Sequence, residues 1–389
     1  MNLYTNLRKF IMNGNTFIYL TEEFLNFLYK GDRTYTLECD PICLVDKWLG
    51  NYVGKRTDDN YFGGRNTNTY GLDRTGILQG ILKQKNLYPI PKYDDNYSKS
   101  FKQICEETAK DILNEGKTID IFWSGGVDST LIITTFLNIC KDLKQINIIY
   151  DKGGIDEYPL FHKEYVKQIT PEPINDWIYD NAHLNLKDNI IVTGHLGGIL
   201  GQYLGQTARF SGELDAERIG CNPKDFKYIP WQDVFLYDVP ALGNQLYDEC
   251  FLECVTPQVK NAPIEIKSIA DLRWWLNFSM KWQPETMTPI RFIKKINHDL
   301  MKNCKIFFNN DDFQKWALWN YDKNLRGVLP PYRKPLKDII YEFTRDEEYY
   351  KNKGKQSSGP RFQHLHNQSV RQIRAIDDQY NVYFQDNKL

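Results

Sequence analysis

The sequence predicts an α/β protein in which a parallel β-sheet carries helices on both faces. Two observations predict this fold class. Short runs of β-branched and aromatic residues alternate with longer helix-like segments, and these runs are almost continuously apolar, as is typical of parallel strands buried on both faces. Right-handed crossovers bring the ends of parallel strands to one edge of a sheet. We therefore expect the loops after the strands to share a ligand-binding edge.

The alternating elements follow in order from residue 99. An amphipathic segment over residues 100–116 predicts a helix that ends at Gly116, because glycine commonly terminates helices. The apolar run at 119–123 predicts a strand, and the long apolar segment at 127–143 predicts the helix after it. The pattern then repeats as a strand at 145–150, a helix at 157–169 and a strand at 188–195.

The segments on either side of this alternation differ in composition. Residues 1–98 are rich in Tyr, Asn, Gly and Asp, and strand-like pieces at 15–20 and 33–39 predict a small N-terminal α+β unit. Residues 99–389 are expected to form the sheet domain with a mainly helical C-terminal part. The candidate helices of that part lie at 268–282, 288–303, 311–321 and 335–343.

Composition narrows the functional classes. The 389 residues carry a formal charge of -1, so no global field would draw the chain onto nucleic acid or an anionic membrane. No apolar run approaches ~18 residues, the length of a membrane span, and the N-terminus has no signal-peptide core. We expect a cytoplasmic protein with reduced cysteines. Cys39/Cys43 and Cys250/Cys254 are spaced i,i+4, which favours ordinary thiols and leaves structural zinc as the alternative.

The C-terminal segment over residues 351–374 is locally basic. It carries six Lys or Arg residues and no acid. A solvated end is the favoured interpretation, and an anion-contacting loop and a nucleic-acid contact both remain open.

The segment SGGVDS, Ser124 to Ser129, has the composition of a phosphate-binding loop. It follows a buried strand and opens a helix, so two glycines let backbone N–H groups turn toward a ligand, while the helix N-terminus adds partial positive charge. The hydroxyls of Ser124 and Ser129 can donate hydrogen bonds to phosphate oxygens. Asp128 would be repelled by phosphate unless Mg²⁺ lies between them, which makes it the candidate metal ligand. A glycine-rich turn formed for packing alone is the alternative.

The N–H groups and the partial positive charge suit pyrophosphate. The loop matches neither the Walker A pattern nor the dinucleotide-binding fingerprint. Residues at the ends of the other two strands are expected at the same edge. The candidate nucleotide-binding residues are Ser124, Gly125, Gly126, Val127, Asp128 and Ser129 in the loop, with Tyr150, Gly194 and His195 after the other strands.

SGGVDS resembles the PP-loop of the ATP pyrophosphatases, which split ATP into AMP and pyrophosphate while adenylating a substrate. Later segments are most similar to the synthetase domain of asparagine synthetases. GGIDEYPLFHKEYVKQI carries Asp156 and Glu157 at the place of that family's Asp-Glu pair, and VTGHLGGILGQYLG stands at the place of its Gly-rich acidic loop. The remaining similar segments are CKIFFNNDDFQKWAL, RKPLKDIIYEF and KNKGKQSSGP, so the resemblance covers about residues 101–360.

The resemblance implies an adenine nucleotide alpha hydrolase-like fold and an ATP- and Mg²⁺-dependent ligase that adenylates a small carboxylate and transfers the acyl group to an amine or ammonia. It implies catalytic roles for Asp128, through the metal, and for Lys353, with Lys355 as the nearby rival. The lysine would lie over the phosphorus after closure of a loop that is mobile without ligand. A solvated lysine with no role in the site is the alternative for Lys353.

Two departures from the family pattern change these expectations. Residues 195–199 offer no acid, so Asp128 would hold Mg²⁺ with water and phosphate oxygens alone. His195 either meets a phosphate or the acyl-adenylate, or is structural. Asn2 stands where glutamine-dependent members carry cysteine, so we expect no glutamine hydrolysis. The nitrogen donor would then be an amine or ammonia, with a separate amidotransferase as one source of the ammonia. Two other functions remain open: a PP-loop enzyme that modifies a nucleotide base, with nucleic acid as a less favoured partner, and a non-catalytic ATP-binding scaffold.

Overall fold

The structure is a computed structural model in which the chain forms two compact units. The first contains Met1–Ile90, Gly212–Glu285 and Gln368–Leu389, and the second contains Pro91–Ser211 and Thr286–Asn367. The residues that the structure describes are 17–19, 41–46, 71–79, 86–92, 94, 96–174, 188–200, 229–236, 245–286, 303–325, 333–354, 374–376 and 382–384.

Short strands and helices of varied length make up the secondary structure. The strands are β1 (Phe17–Tyr19), β2 (Ile119–Trp123), β3 (Ile146–Tyr150), β4 (Ile190–Thr193), β5 (Cys304–Ile306), β6 (Arg374–Ile376) and β7 (Val382–Phe384). The α-helices are α1 (Pro41–Asp46), α2 (Phe101–Leu113), α3 (Val127–Ile139), α4 (Lys152–Glu157), α5 (Pro159–Phe161), α6 (Lys167–Ile169), α7 (Gly197–Leu200), α8 (Gln245–Lys260), α9 (Ile269–Thr286), α10 (Asp311–Trp319), α11 (Lys334–Thr344) and α12 (Glu347–Asn352). Short 3₁₀ helices span Leu143–Gln145 and Trp231–Leu236, and π-helical turns span His162–Val166 and Tyr321–Leu325.

The second unit contains a four-stranded, all-parallel sheet in the order β3-β2-β4-β5. Every residue of the two central strands β2 and β4 is buried, so both of their faces are covered. This confirms the predicted α/β class with a parallel sheet. Strand β5, which pairs with β4 from Cys304 to Ile306, is an addition to the three strands that the sequence pattern predicts.

The helices of this unit begin and end by local chemistry. Helix α2 begins at a capping box, in which the Ser100 hydroxyl accepts from the Gln103 N–H (3.2 Å) and the Gln103 side chain accepts from the Ser100 N–H (2.8 Å). It ends at Leu113, a little before the predicted Gly116, whose φ is 70°. Helix α3 is shorter than predicted and ends at Ile139. The region of the helix predicted at 157–169 contains α5, the π-helical turn and α6, and the non-helical Tyr158 (φ -145°, ψ 74°) separates it from the preceding helix α4.

The first unit contains an antiparallel sheet in the order β1-β6-β7 and the long helix α9. Helix α9 begins where the Asp271 carboxylate accepts from the N–H groups of Lys267 and Ser268, both at 2.9 Å. Every residue of α9 except Glu285 is buried. The predicted strand at 15–20 is present as β1, whereas β6 and β7 lie beyond the elements that the sequence pattern indicates.

A segment of chain over residues 71–79 lies along α9 in the same unit. The N–H groups of Leu72 and Arg74 donate to the carbonyls of Met280 (3.4 Å) and Ser279 (3.0 Å). The buried Arg74 guanidinium donates to the Phe278 carbonyl and lies 5.1 Å from the centroid of the Trp282 ring. Burial lowers the pKa of Arg74 to about 9, partly offset by the Asp73 charge.

Other sequence-based predictions concern the domain boundary, the C-terminal helices and segments that the structure does not describe. The two units differ from the predicted boundary between residues 98 and 99, because Gly212–Glu285 and Gln368–Leu389 group with the N-terminal residues. Helices α9, α10 and α11 correspond to three of the predicted C-terminal helices. Residues 33–39 and 288–302, and the basic segment over 355–373, lie outside the described residues.

Two further predictions concern membrane-spanning helices and the cysteines. No helix in the described ranges is both long enough and apolar enough to cross a bilayer. Cys105, Cys140 and Cys304 are free thiols. Cys39 and the side chains of Cys43 and Cys250, which complete the two spaced pairs, lie outside what the structure describes.

Candidate functional site

The loop SGGVDS connects β2 to α3 at the carboxyl end of the parallel sheet. Gly125 has φ 75°, a left-handed conformation that favours glycine. A Cβ atom there would lie 2.5 Å from the Gly154 carbonyl oxygen and 2.7 Å from the Cβ of Glu157, so the loop backbone approaches α4 closely. Gly126 is the N-cap residue of α3 and has no side chain that could satisfy the N–H groups of the first helical turn. Those N–H groups therefore suit an anionic ligand.

The two loop serines form a hydroxyl pair at the start of α3. The Ser129 hydroxyl donates to the Gly126 carbonyl (3.2 Å) and accepts from the Ser124 N–H (3.2 Å). The two hydroxyl oxygens are 3.3 Å apart. The structure therefore brings both predicted serines together at the start of α3.

Helix α4 brings an acid to this loop. The Asp151 side chain accepts from the Gly154 N–H (3.0 Å) and so starts the helix. A Cβ at Gly154 would lie 3.0 Å from the Trp123 carbonyl oxygen, so glycine lets α4 pack against the end of β2. A Cβ at Gly126 would lie 3.5 Å from Glu157 Oε1, which puts that carboxylate beside the loop. The sequence pattern missed the role of Gly154, because GGID reads as a loop before a helix.

Lys353 pairs with this acid. Its Nζ donates to Glu157 Oε1 at 2.9 Å, and the two side chains are only 7% and 14% exposed. The Lys353 N–H donates to the Tyr349 carbonyl at the end of α12, which fixes the backbone from which the lysine extends. The interpretation of Lys353 as a solvated lysine is therefore wrong. The rival, Lys355, and the rest of the predicted mobile loop lie outside the described residues.

Asp128 pairs with an arginine that the sequence pattern did not identify. Arg333 Nη1 donates to Asp128 Oδ2, and the arginine side chain is 9% exposed. Arg333 precedes α11 and has a left-handed φ of 57°, which turns the chain into that helix. Its sequence neighbourhood, YRKPLK, gives no signal that separates it from a solvated basic residue.

The end of β4 completes the surroundings of Asp128. A Cβ at Gly194 would lie 3.2 Å from Asp128 Cβ, and one at Gly197 would collide with Asp128 Oδ1. That oxygen is buried and has no hydrogen-bond partner among the described residues. The Nδ1 of His195 lies 3.2 Å from the Thr193 hydroxyl, at the edge where the sequence predicted it. Glycine at 194 and 197 thus lets the loop after β4 approach the start of α3.

The Tyr150 side chain packs in the core. It is fully buried, its hydroxyl donates to the Thr170 carbonyl (2.8 Å), and His162 Nε2 lies 3.3 Å from the same hydroxyl. The core therefore uses the Tyr150 side chain, and only its backbone at the end of β3 faces the predicted edge. Its role with a nucleotide stays a prediction.

A second buried lysine supports the helix that carries Lys353. Lys337, in α11, is 1% exposed and donates to the Tyr350 carbonyl in α12 at 2.8 Å. Burial, together with the nearby Lys353 charge, lowers the pKa of Lys337 to about 8. On the other side of α12, the ring of Tyr349 stacks on Tyr158 with 3.9 Å between centroids.

The expected magnesium ion does not fit Asp128 as the structure holds it. The orphaned Oδ1 alone would suit a cation, but Mg²⁺ requires near-octahedral oxygen ligands. The guanidinium of Arg333 already lies on the same carboxylate and would repel the ion. Within the described ranges, no group of three or more His, Cys, Asp or Glu side chains is arranged to hold a metal, and Glu157 is paired with Lys353.

Comparison of this chain with protein-family models, with curated protein sequences and with solved structures finds no match. The function is therefore inferred from the residues of the site.

Proposed function

We propose that this protein binds ATP at the SGGVDS loop and adenylates a small carboxylate, with release of pyrophosphate, before an amine or ammonia takes the acyl group. The observation that carries this proposal is the arrangement at one sheet edge. There, the glycine turn, the two serine hydroxyls and the start of α3 lie beside two ion pairs, Glu157–Lys353 and Asp128–Arg333, whose basic side chains are buried. An adenine nucleotide alpha hydrolase-like fold belongs to the same proposal.

The chemistry assigns each group a task. A substrate carboxylate oxygen attacks the α-phosphorus, and the bond from that phosphorus to the bridging oxygen breaks, so pyrophosphate leaves with the electron pair. The N–H groups at the start of α3 and the hydroxyls of Ser124 and Ser129 hold the pyrophosphate oxygens. An amine nitrogen then attacks the acyl carbon, AMP leaves, and the nitrogen loses a proton.

Lys353 supplies positive charge for both steps. Its side chain is buried and positioned by Glu157 before any ligand binds, so little reorganisation remains when negative charge develops on phosphorus. Glu157 restrains the lysine and does not react. Asp128 has no role toward a magnesium ion in this proposal, because Arg333 occupies its carboxylate.

The proposal is tested first by binding. Isothermal titration of ATP should give an affinity that falls at least ~10-fold in a Ser124→Ala, Ser129→Ala variant, since two hydrogen bonds to charged oxygens are lost. Thr135→Val is the matched control: it removes a hydroxyl of the same helix that bonds to the Leu131 carbonyl. Equal losses in both variants would show that the loop is not the nucleotide site.

The reaction type is tested by its products. Incubation of the chain with ATP, ammonium chloride and a panel of small carboxylates, beginning with aspartate and glutamate, should yield AMP and pyrophosphate on nucleotide chromatography. ADP and phosphate as the products would contradict the proposal, because the loop is arranged to hold the leaving pyrophosphate.

A non-catalytic ATP-binding protein is the second candidate. It is favoured by the sequence of residues 195–199, which contains no acid, and by the pairing of Asp128 and Glu157 with basic side chains. Binding of ATP in titration without AMP formation for any carboxylate of the panel would support this candidate over the ligase.

A further inference from the structure

The ion pair between Arg333 and Asp128 lies where the superfamily pattern would lead one to expect a metal. Asp128 belongs to the first turn of α3, next to Ser129, and its carboxylate lies beside the loop after β4. Arg333 reaches it from the residue before α11. The arginine is 8% exposed, and its left-handed backbone shows that the chain makes a costly turn to bring it there.

The charges of the site are balanced without a metal. Two carboxylates, Asp128 and Glu157, each have a basic partner whose side chain is less than a tenth exposed, Arg333 and Lys353 respectively. A phosphate group beside Asp128 alone would meet like charge. A guanidinium has five N–H donors in a planar fork, so it can hold a carboxylate and a phosphate oxygen together.

We propose that Arg333 takes the place of a protein-bound magnesium ion at Asp128, and that the phosphates of a bound nucleotide contact the guanidinium. This inference rests on the proposed nucleotide site and deepens it. Asp128 is then a positioning residue that holds Arg333 over the start of α3. Its carboxylate does not coordinate the magnesium that travels with ATP.

The test measures whether Asp128 and magnesium act together. ATP is titrated into the full chain twice, once with excess Mg²⁺ and once with EDTA, for the wild type and for Asp128→Asn. We expect the wild-type affinity to change by less than about 5-fold between the two conditions, and Asp128→Asn to change both affinities by the same factor, since uncoupled sites have a coupling factor near one. Asp111→Asn, which alters an exposed acid of α2, is the matched control.

The second measurement is ATP binding by variants of Arg333 itself. Arg333→Met should weaken binding of magnesium-free ATP by about 10- to 100-fold, the range of one hydrogen bond to a charged group. Arg333→Lys, which retains the charge and so protects the fold, should lose less. Circular dichroism checks that each variant is folded, and the wild-type comparison needs no variant.

Each outcome decides a different point. A wild-type affinity that falls more than about 50-fold in EDTA, with the magnesium dependence abolished by Asp128→Asn, would overturn this inference and leave the nucleotide site intact. Absence of ATP binding in both conditions would overturn the nucleotide site and this inference with it. An Arg333→Met variant that is folded and binds magnesium-free ATP as the wild type does would overturn the inference alone.

Discussion

Loss of the buried Lys353–Glu157 pair should lower both the stability of the fold and catalytic turnover. Lys353→Met leaves the Glu157 charge without this cation in a position that is 14% exposed, so the free energy of unfolding should fall by about 3 kcal/mol. Turnover, measured as pyrophosphate release, should fall by roughly 10²-fold while ATP affinity changes little, because the charge matters most in the transition state.

The neighbouring Lys351 is the control for this prediction. It is exposed and pairs with Glu347 one helical turn away, so Lys351→Met should change neither the denaturant midpoint nor turnover. The double variant Lys353→Met, Glu157→Gln should recover part of the lost stability. Equal effects of the two lysine substitutions would show that the buried pair has no special role.

The buried Lys337 should make the free energy of unfolding depend on pH. Its pKa in the folded chain is about 8, below the usual 10.5, because burial and the Lys353 charge disfavour the protonated form. Between these pH values the unfolded chain binds more protons than the folded chain, so the Lys337 contribution to the free energy of unfolding rises with pH. The stability of the wild type relative to Lys337→Met should therefore increase from about pH 8 to pH 10.5 and stay constant below pH 8.

The exposed Lys334 of the same helix is the matched control. Its hydrogen bond with Asp338 raises its pKa, so the difference between the wild type and Lys334→Met should stay flat from about pH 8 to about pH 10. Urea denaturation at a series of pH values measures both differences. Parallel curves for the two variants would contradict a buried, weakly protonated Lys337.

Among single residues, the sequence identified groups whose chemistry is local. Ser124, Ser129 and Asp128 could be predicted because they stand in one short loop between a strand and a helix. Arg333 could not, since its partner lies far away in the chain and the local sequence YRKPLK gives no signal of the pairing. Lys353 was reachable only through a family resemblance, and its pairing with Glu157 depends on tertiary packing that no local pattern encodes.

Among the secondary-structure elements, the turn between β2 and α3 should be sensitive to replacement of its glycine. Gly125→Ala combines a left-handed φ with a Cβ that would lie 2.5 Å from the Gly154 carbonyl oxygen, so either the loop or α4 has to move. Gly116→Ala has a similar φ of 70° and nothing within 4 Å, so it should cost only the backbone strain of about 1 kcal/mol.

The comparison of the two alanine variants separates strain from close packing. Gly125→Ala should lower the denaturant midpoint clearly more than Gly116→Ala does, and it should weaken ATP binding, which Gly116→Ala should leave unchanged. Chemical denaturation and titration measure the two effects. Similar midpoints and affinities for both variants would show that α4 does not pack closely against the loop.

The sequence predicted long elements better than short ones. Strands β2, β3 and β4 are apolar runs, and the periodicity of α2, α10 and α11 is helical over several turns. Strand β5 has only three residues, one of them Lys305, so its pairing with β4 is decided by the sheet and not by its own pattern. Helix α4 carries Gly153 and Gly154 in its first turn, which local propensity disfavours, and close packing requires Gly154.

The division of the molecule into two units predicts how a fragment that lacks residues 1–98 behaves. The sequence suggested that residues 99–389 form a domain by themselves, whereas the structure groups Gly212–Glu285 with Met1–Ile90. In that unit the Arg74 guanidinium donates to the Phe278 carbonyl and the Leu87 N–H donates to the Gln283 side chain at 2.8 Å. Removal of residues 1–98 would therefore strip these partners from α9 and expose an apolar helix.

We therefore expect the fragment 99–389, expressed alone, to aggregate or to unfold without a cooperative transition, and we expect co-expression of 1–98 to restore a soluble complex. Size-exclusion chromatography and thermal denaturation measure both properties. The full-length Arg74→Met variant should show the same weakness in milder form, because a buried guanidinium with two backbone partners on α9 is lost. A monomeric fragment 99–389 that melts cooperatively would instead support the boundary that the sequence suggested, because α9 would then need none of its contacts with Leu72, Arg74 and Leu87.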